Sequence, residues 1–286
     1  MTANLFLVGA PRAGTSSLFE YLSRHPAIFA PAEKEPHHYD EDVLDGRAPM
    51  PLEEYRALYA GATDERRLLD ASALYLYSAR ALDAVSSMED AHAIISLRDP
   101  IDQMASWHGL LVATGSEPRG SLEEALAAES ADTPFERRYS EIARYAPYVE
   151  RWLDRLGADR VHVVVFEELT GDESDRVCAD LLAGLGLHAE GLGSFPRLNT
   201  HRRPAPVRLT GSRPLVRAAR AVLPPRLRRA LWSRANAAMT PHATRPALPD
   251  ALRARLRRDV DADVRRLESL VGRDLHAIWS DQQPSS

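Results

Sequence analysis

The run "NLFLVGAPRAGTSSLF" (Asn4–Phe19) decides the fold. It opens on a short unbroken apolar segment, the pattern of a strand buried on both faces of a parallel sheet. It closes on Leu18, Phe19 and, a turn later, Leu22 at helical spacing, with Pro26 as the expected stop. Strand, glycine-bounded loop and helix together are the layout of a phosphate-gripping loop, because the backbone N–H groups at a helix start point at an anion. Gly9 and Gly14 have the spacing of G-x-x-x-x-G-K-[ST], and Ser16 falls in its hydroxyl place. Thr15, however, stands where nucleotide-triphosphate loops carry lysine, and Arg12 is the cation of the loop. Arg12, Ala13, Gly14, Thr15, Ser16 and Ser17 are therefore candidates for holding an anion, with Arg12 offering a fork of donors. A plain strand-to-helix turn with capping hydroxyls is the competing reading, and the strand–loop–helix context favours the anion.

Working outward, "RLLDAS" and "AHAIISLRDP" read as two further buried strands, the second followed by a helix that starts at Pro100. "EIARYAPYVERWLDRLG" reads as a helix kinked or broken at Pro147, "DRVHVVVFEEL" as a fourth strand and "ESDRVCADLLAGLG" as a helix ending in glycine. Strands alternating with helices predict an α/β fold with a central parallel sheet. Beyond about Gly191 the texture changes to a Pro- and Arg-rich loop, a basic helical stretch and an amphipathic closing helix with Leu252, Leu256, Val260, Val264 and Leu267 in register. The expectation is one domain over 1–286, with an α/β nucleotide-binding core over 1–190 and a basic loop with C-terminal helices over 191–286 packed on it.

The bulk numbers fit a soluble globular protein: 286 residues, 44% hydrophobic and 27% charged. The one cysteine, Cys178, leaves no internal disulfide and fits a reducing, cytoplasmic compartment. The apolar runs are shorter than a membrane span, and the N-terminus lacks the basic region of a signal peptide. The net charge of −5 hides an asymmetry, since Gly191 to Pro249 carries twelve arginines and no acidic residue. A local positive field of this kind draws anionic ligands. Lys34 is the only lysine, and coding bias accounts for that ratio as readily as function does.

Two other stretches carry chemistry. A triphosphatase places an aspartate at a strand end to hold Mg²⁺, whereas "IISLRDPIDQMASW" ends its strand in Arg98, with Ser106 eight residues on. A cation there suits an anionic group of the ligand with no metal between. The bland alternative is Arg98 paired with Asp99 or Asp102. In "EKEPHHYDED" (Glu33–Asp42), Glu35, His37 and His38 are candidate bases. Taken alone, the stretch reads better as a solvated acidic loop, and its His-His-Asp spacing matches no established metal site.

"VGAPRAGTSSL", "KEPHHYD" and "ISLRDPIDQMAS", in this order, resemble the sulfotransferases that use 3′-phosphoadenosine-5′-phosphosulfate (PAPS), in particular the bacterial relatives of the heparan-sulfate sulfotransferases. "DASALYLY", the helix around Tyr145 and "LNTHRRPAP" extend the resemblance over most of the chain. It implies a P-loop-like fold in which Arg12 and the backbone and hydroxyls of 13–17 grip the 5′-phosphosulfate. It implies that Arg98 and Ser106 hold the 3′-phosphate, that Glu35 is the general base with His37 beside it, and that Asn199 to Pro204 covers the nucleotide with Arg202 or Arg203 on a phosphate. PAPS is then the co-substrate and no metal is required. Four positions depart from the heparan-type pattern: Arg12 and Ala71 replace lysines, and His38-Tyr39 replaces two phenylalanines. These leave the acceptor open among glycans, glycolipids and small metabolites.

The expected activity is sulfuryl transfer to an acceptor hydroxyl by a monomer or homodimer that does not engage nucleic acid and touches membranes at most peripherally, through its basic third. The rival readings are a P-loop nucleotide kinase or hydrolase, opposed by the missing lysine and strand-end aspartate, and a non-catalytic anion-binding module.

Overall fold

The computed structural model describes residues 2–188, 192–196 and 248–280. A five-stranded, all-parallel sheet runs in the order β2-β3-β1-β4-β5, with β1 Leu5–Gly9, β2 Ile28–Phe29, β3 Arg67–Asp70, β4 His92–Leu97 and β5 Val161–Val165. Around it lie α1 Thr15–Leu22, α2 Leu52–Ala57, α3 Ala79–Ser86, α4 Pro100–Thr114, α5 Leu122–Ala127, α6 Tyr139–Ile142, α7 Ala146–Leu156, α8 Phe166–Thr170, α9 Ser174–Gly184, α10 Asp250–Val271 and α11 Leu275–Ser280.

The apolar run of β1 is continuous because both faces are covered. Leu5 and Leu7 join Ile94, Val164 and the helices α1 and α9 on one side, while Phe6 and Val8 join Ile95, Leu97, Trp152 and the long helix α10 on the other. All five expected residues of α10 are buried. No helix among the described residues is long and apolar enough to cross a membrane.

Several boundaries differ from the sequence expectation. Helix α1 ends at Leu22, a turn before Pro26, since a residue before proline resists the helical region. His25 takes over there, accepting from Ala27 N at 3.0 Å and meeting His188 O at 2.9 Å. The strand expected over "DRVHVVVFEEL" stops at Val165, where the β-branched run gives way to helix formers, and Phe166–Thr170 turns as α8. Pro147 marks a break: α6 ends before it and α7 begins at Ala146. The start of α7 is capped from a distance, by Asp263 of α10 accepting from Tyr145 N at 2.9 Å and Ala146 N at 3.3 Å. The two-residue β2 and the helices α2, α3 and α5 were not anticipated. The basic stretch before Leu248, including Arg202 and Arg203, lies almost wholly outside the described residues.

At the end of the sheet away from the loop, His92 Nδ1 and His162 Nε2 share a 2.9 Å hydrogen bond with their rings stacked, and Arg67 donates to His92 Nε2 at 3.0 Å. Burial first, then His92 and Arg67, pushes His162 down to about 4, and burial and Arg67 lower His92 as well. A histidine whose folded pKa is depressed binds fewer protons than in the unfolded chain, so its contribution is complete above its ordinary value and is lost as pH falls toward 4. We expect stability to fall on the order of 2 kcal/mol across this window through the pair. His162→Gln should flatten that part of the denaturation-midpoint profile between pH 7 and 4.5; an unchanged slope excludes the pair as its cause.

Candidate functional site

The chain passes from β1 to one side of the sheet and, after β3, crosses to the other, so the strand order reverses at β1. In such sheets the ligand crevice lies outside the carboxyl ends of the strands at this reversal. The segment after β1 is the loop 9–14. The segments after its neighbours, 71–77 beyond β3 and 98–99 beyond β4, flank it.

The loop is held from the β4 side. Ala10 N donates to Ser96 O at 2.7 Å, Ser96 Oγ to Ala13 O at 2.5 Å, Gln103 Nε2 to Pro11 O at 3.1 Å and Arg98 Nη1 to Arg12 O at 3.1 Å. Arg12 Nε in turn donates to Ser106 Oγ at 2.9 Å. Arg12, Arg98 and Ser106, chosen from separate motifs, are thus one interlocked cluster. The bland pairing of Arg98 is weak: Asp102 Oδ2 is 3.9 Å away, and Asp99 is engaged by Ile101 N and by Arg257. The guanidinium lies over the Phe166 ring at 4.8 Å, and its buried Nε has no hydrogen-bond partner among the described residues. A buried, unsatisfied donor beside Ser106 and the loop suits an anionic group.

Gly14 is the left-handed N-cap of α1 at φ 82°, and no side chain among the described residues caps that helix start. A Cβ at Gly14 would lie 2.5 Å from Phe166 Cδ2, so both conformation and space require glycine there. Thr15 and Ser17 are buried and Ser16 half-buried, at the N-terminal turn whose free N–H groups attract anions. Arg12 itself has φ 65°, an uncommon left-handed conformation for a side chain of this size.

The acidic stretch is a structured second half of the site and departs from the solvated loop expected. Glu35 and His37 also have positive φ, 60° and 51°. Such strain persists only where surrounding structure enforces it, and it clusters at functional positions. His37 Nδ1 meets Asp40 Oδ2 at 2.7 Å, which leaves Nε2 facing Glu35 Oε2 at 4.0 Å. Asp40 is fully buried. Lys34 Nζ donates to Glu35 Oε1 at 2.5 Å, while the Glu35 side chain stays 43% exposed. Burial alone would raise the Glu35 carboxyl, but Lys34, then His37 and Arg12, outweigh it and hold it below the ordinary carboxylate value. His37 moves the other way: burial opposes its charge, and Asp40 followed by Glu35 more than restores it. His38, the third candidate base, is tied to the packing of the loop. Its Nδ1 donates to Met50 O at 2.5 Å and its ring stacks on Tyr55.

Sequence reasoning missed Ser96, Gln103 and Phe166, and met Asp40 only as the acid of a His-His-Asp spacing. Gln103 was legible in principle, one helical turn before Ser106 on the same face of α4. Phe166 carries no motif signal. Arg202 and Arg203, expected on a phosphate, lie outside the described residues. Ala71 is buried and offers its carbonyl to Glu35 N at 3.1 Å.

This P-loop-like α/β fold is that of the sulfotransferases. Over 97% of its length the chain superposes on 99% of the crystal structure of a sulfotransferase from Alicyclobacillus acidocaldarius, with a TM-score of 0.72 and 26% identity. It is 25% identical over 174 residues to human heparan sulfate glucosamine 3-O-sulfotransferase 6, covering 60% of this chain and 48% of that protein. It is 26% identical over 172 residues to human heparan sulfate glucosamine 3-O-sulfotransferase 3B1, covering 58% and 42%. The chain spans about half the length of the curated relatives it matches, and no protein-family model matches it. It is a relative of the sulfotransferases at low identity.

Proposed function

We propose that this chain transfers the sulfuryl group of PAPS to an acceptor hydroxyl and releases adenosine 3′,5′-bisphosphate. The observation that carries the reading is the interlock of Arg12, Arg98 and Ser106 around an uncapped helix start, with the Glu35–His37–Asp40 array across from it. Arg12 and the N–H groups of the loop would hold the 5′-phosphosulfate, and Arg98 with Ser106 the 3′-phosphate. The acceptor oxygen bonds to sulfur as the bond from sulfur to the 5′-phosphate oxygen breaks. The acceptor proton passes to the Glu35 carboxylate, and the electron pair of the broken bond goes to the phosphate. Arg12 stabilises charge developing there. His37, favoured in its protonated form, is better placed to hold Glu35 than to accept a proton itself.

The acceptor class we propose is a hydroxyl of a glycan, glycolipid or small metabolite, and the human relatives are named for glucosamine of heparan sulfate. The cellular site we propose is the cytoplasm, on the strength of the single, buried Cys178.

Adenosine 3′,5′-bisphosphate should raise the melting temperature well above the effect of AMP, with or without Mg²⁺, because a ligand that binds only the folded state stabilises it more the more tightly it binds. Equal shifts by the two nucleotides would remove the 3′-phosphate assignment. Release of bisphosphate from PAPS, followed by mass spectrometry against a library of hydroxyl acceptors, tests the transfer itself.

A further inference from the structure

Glu35 and His37 sit in a backbone that resists the conformation it holds, and the fold contains a specific device that holds it. Glu35 N donates to Ala71 O at 3.1 Å. His37 N donates to Ser72 Oγ at 3.3 Å, and His38 N and Tyr39 N donate to the single hydroxyl of Tyr75 at 3.0 and 3.3 Å. Every one of these acceptors lies in the segment just after β3. The two hydroxyls among them are not free to rotate. Ser72 Oγ donates to Asp70 Oδ1 at 2.8 Å and Tyr75 OH to Asp70 Oδ2 at 3.1 Å, while Tyr55 OH also donates to Oδ2, at 2.9 Å. Asp70 is the last residue of β3, is fully buried and touches none of the groups proposed to do the chemistry.

Resting on the proposed sulfotransferase reading, we infer that Asp70 is a positioning residue for the general base: its carboxylate draws in the hydroxyl hydrogens of Ser72 and Tyr75, so that their lone pairs face the N–H groups of residues 37–39 and fix the Glu35–His37 segment. A carboxylate is the group suited to this, because it only accepts. Burial pushes the Asp70 carboxyl up to about 6, against the three hydroxyls that lower it, which leaves it ionised at neutral pH. An asparagine cannot substitute. With its amide nitrogen in the place of either oxygen, one hydroxyl meets N–H donors on both sides and its own hydrogen has no acceptor.

The network contains its own control. Tyr55 and Tyr75 donate to the same oxygen of Asp70, but the hydroxyl of Tyr75 carries the loop N–H groups and that of Tyr55 carries none. Tyr75→Phe and Tyr55→Phe keep the rings and each remove one bond to Asp70. For Tyr75→Phe we expect faster amide exchange in peptides spanning 35–40 and kcat lowered about 3- to 10-fold, with KM for PAPS and bisphosphate affinity unchanged. Tyr55→Phe should keep kcat within about twofold. Asp70→Asn should lower kcat at least as far as Tyr75→Phe. The assays use PAPS with the acceptor giving the fastest bisphosphate release in the screen above. Equal kcat in the two tyrosine variants, or losses that simply follow melting temperature in both, would overturn the inference. If the wild-type protein consumes no PAPS with any acceptor, the sulfotransferase reading fails instead. Exchange at residues 37–39 in Tyr75→Phe against Tyr55→Phe then decides whether the device exists.

Discussion

Glu35→Gln is expected to lower turnover by about 100-fold or more while leaving bisphosphate affinity near wild type. The amide keeps the size of the carboxylate and can still meet Lys34 through its oxygen, but it cannot accept the acceptor proton. Two groups compete for this role, and geometry and electrostatics both separate them. His37 has its Nδ1 committed to Asp40 and is held toward its charged form, whereas Glu35 is 43% exposed and held ionised. The sign of the Glu35 shift sets the pH dependence. Because its pKa is lowered, the base stays ionised as pH falls, and the acid limb of kcat should lie below the ordinary carboxylate range of about 4.3. If Glu35→Gln turns over normally and His37→Ala abolishes turnover, the base is His37 and the sulfotransferase reading stands.

Arg98→Ala should act on binding first. Its guanidinium is mostly buried, and a hydrogen bond to a charged group contributes about 1.5–3 kcal/mol, so bisphosphate affinity should fall about 10- to 100-fold by calorimetry. AMP affinity should change far less, since AMP lacks the 3′-phosphate. Arg98→Lys should fall between, keeping the charge and losing the fork. Arg98 also donates to Arg12 O and packs on Phe166, so a competing account is that it only braces the loop. That account predicts equal losses for AMP and bisphosphate, and finding them would displace the 3′-phosphate assignment.

Much of the frame around this candidate site is legible in the sequence. The apolar run Leu5–Gly9, Gly14, the hydroxyls of 15–17 and the helix from Pro100 follow from local rules of period, capping and backbone conformation. The unbroken apolar runs of β1 and β4 foretold a sheet covered on both faces, and the spacing along α10 foretold its buried stripe. Where the expectation slipped, the missing information was non-local. Nothing near Pro147 says that Asp263, over a hundred residues away, will cap α7. Nothing in "KEPHHYD" separates a solvated acidic loop from one tied down by Asp70, Ser72 and Tyr75, because hydrogen-bond partners from another segment decide it.

The sequence by itself therefore determined the parts: a glycine-bounded loop between strand and helix that lacks the triphosphate lysine, a strand-end arginine with a serine two turns on, and a carboxylate beside a histidine. Only the tertiary structure decided that these parts meet. Pairing β1 between β3 and β4 places the segments after both strands on either side of one loop, so Arg98 and Ser106 reach Arg12 from one side and residues 71–75 support Glu35 from the other. The physical reason is that strand order and hydroxyl orientation are set by contacts between residues far apart in the chain, whereas period and capping are set within a few residues.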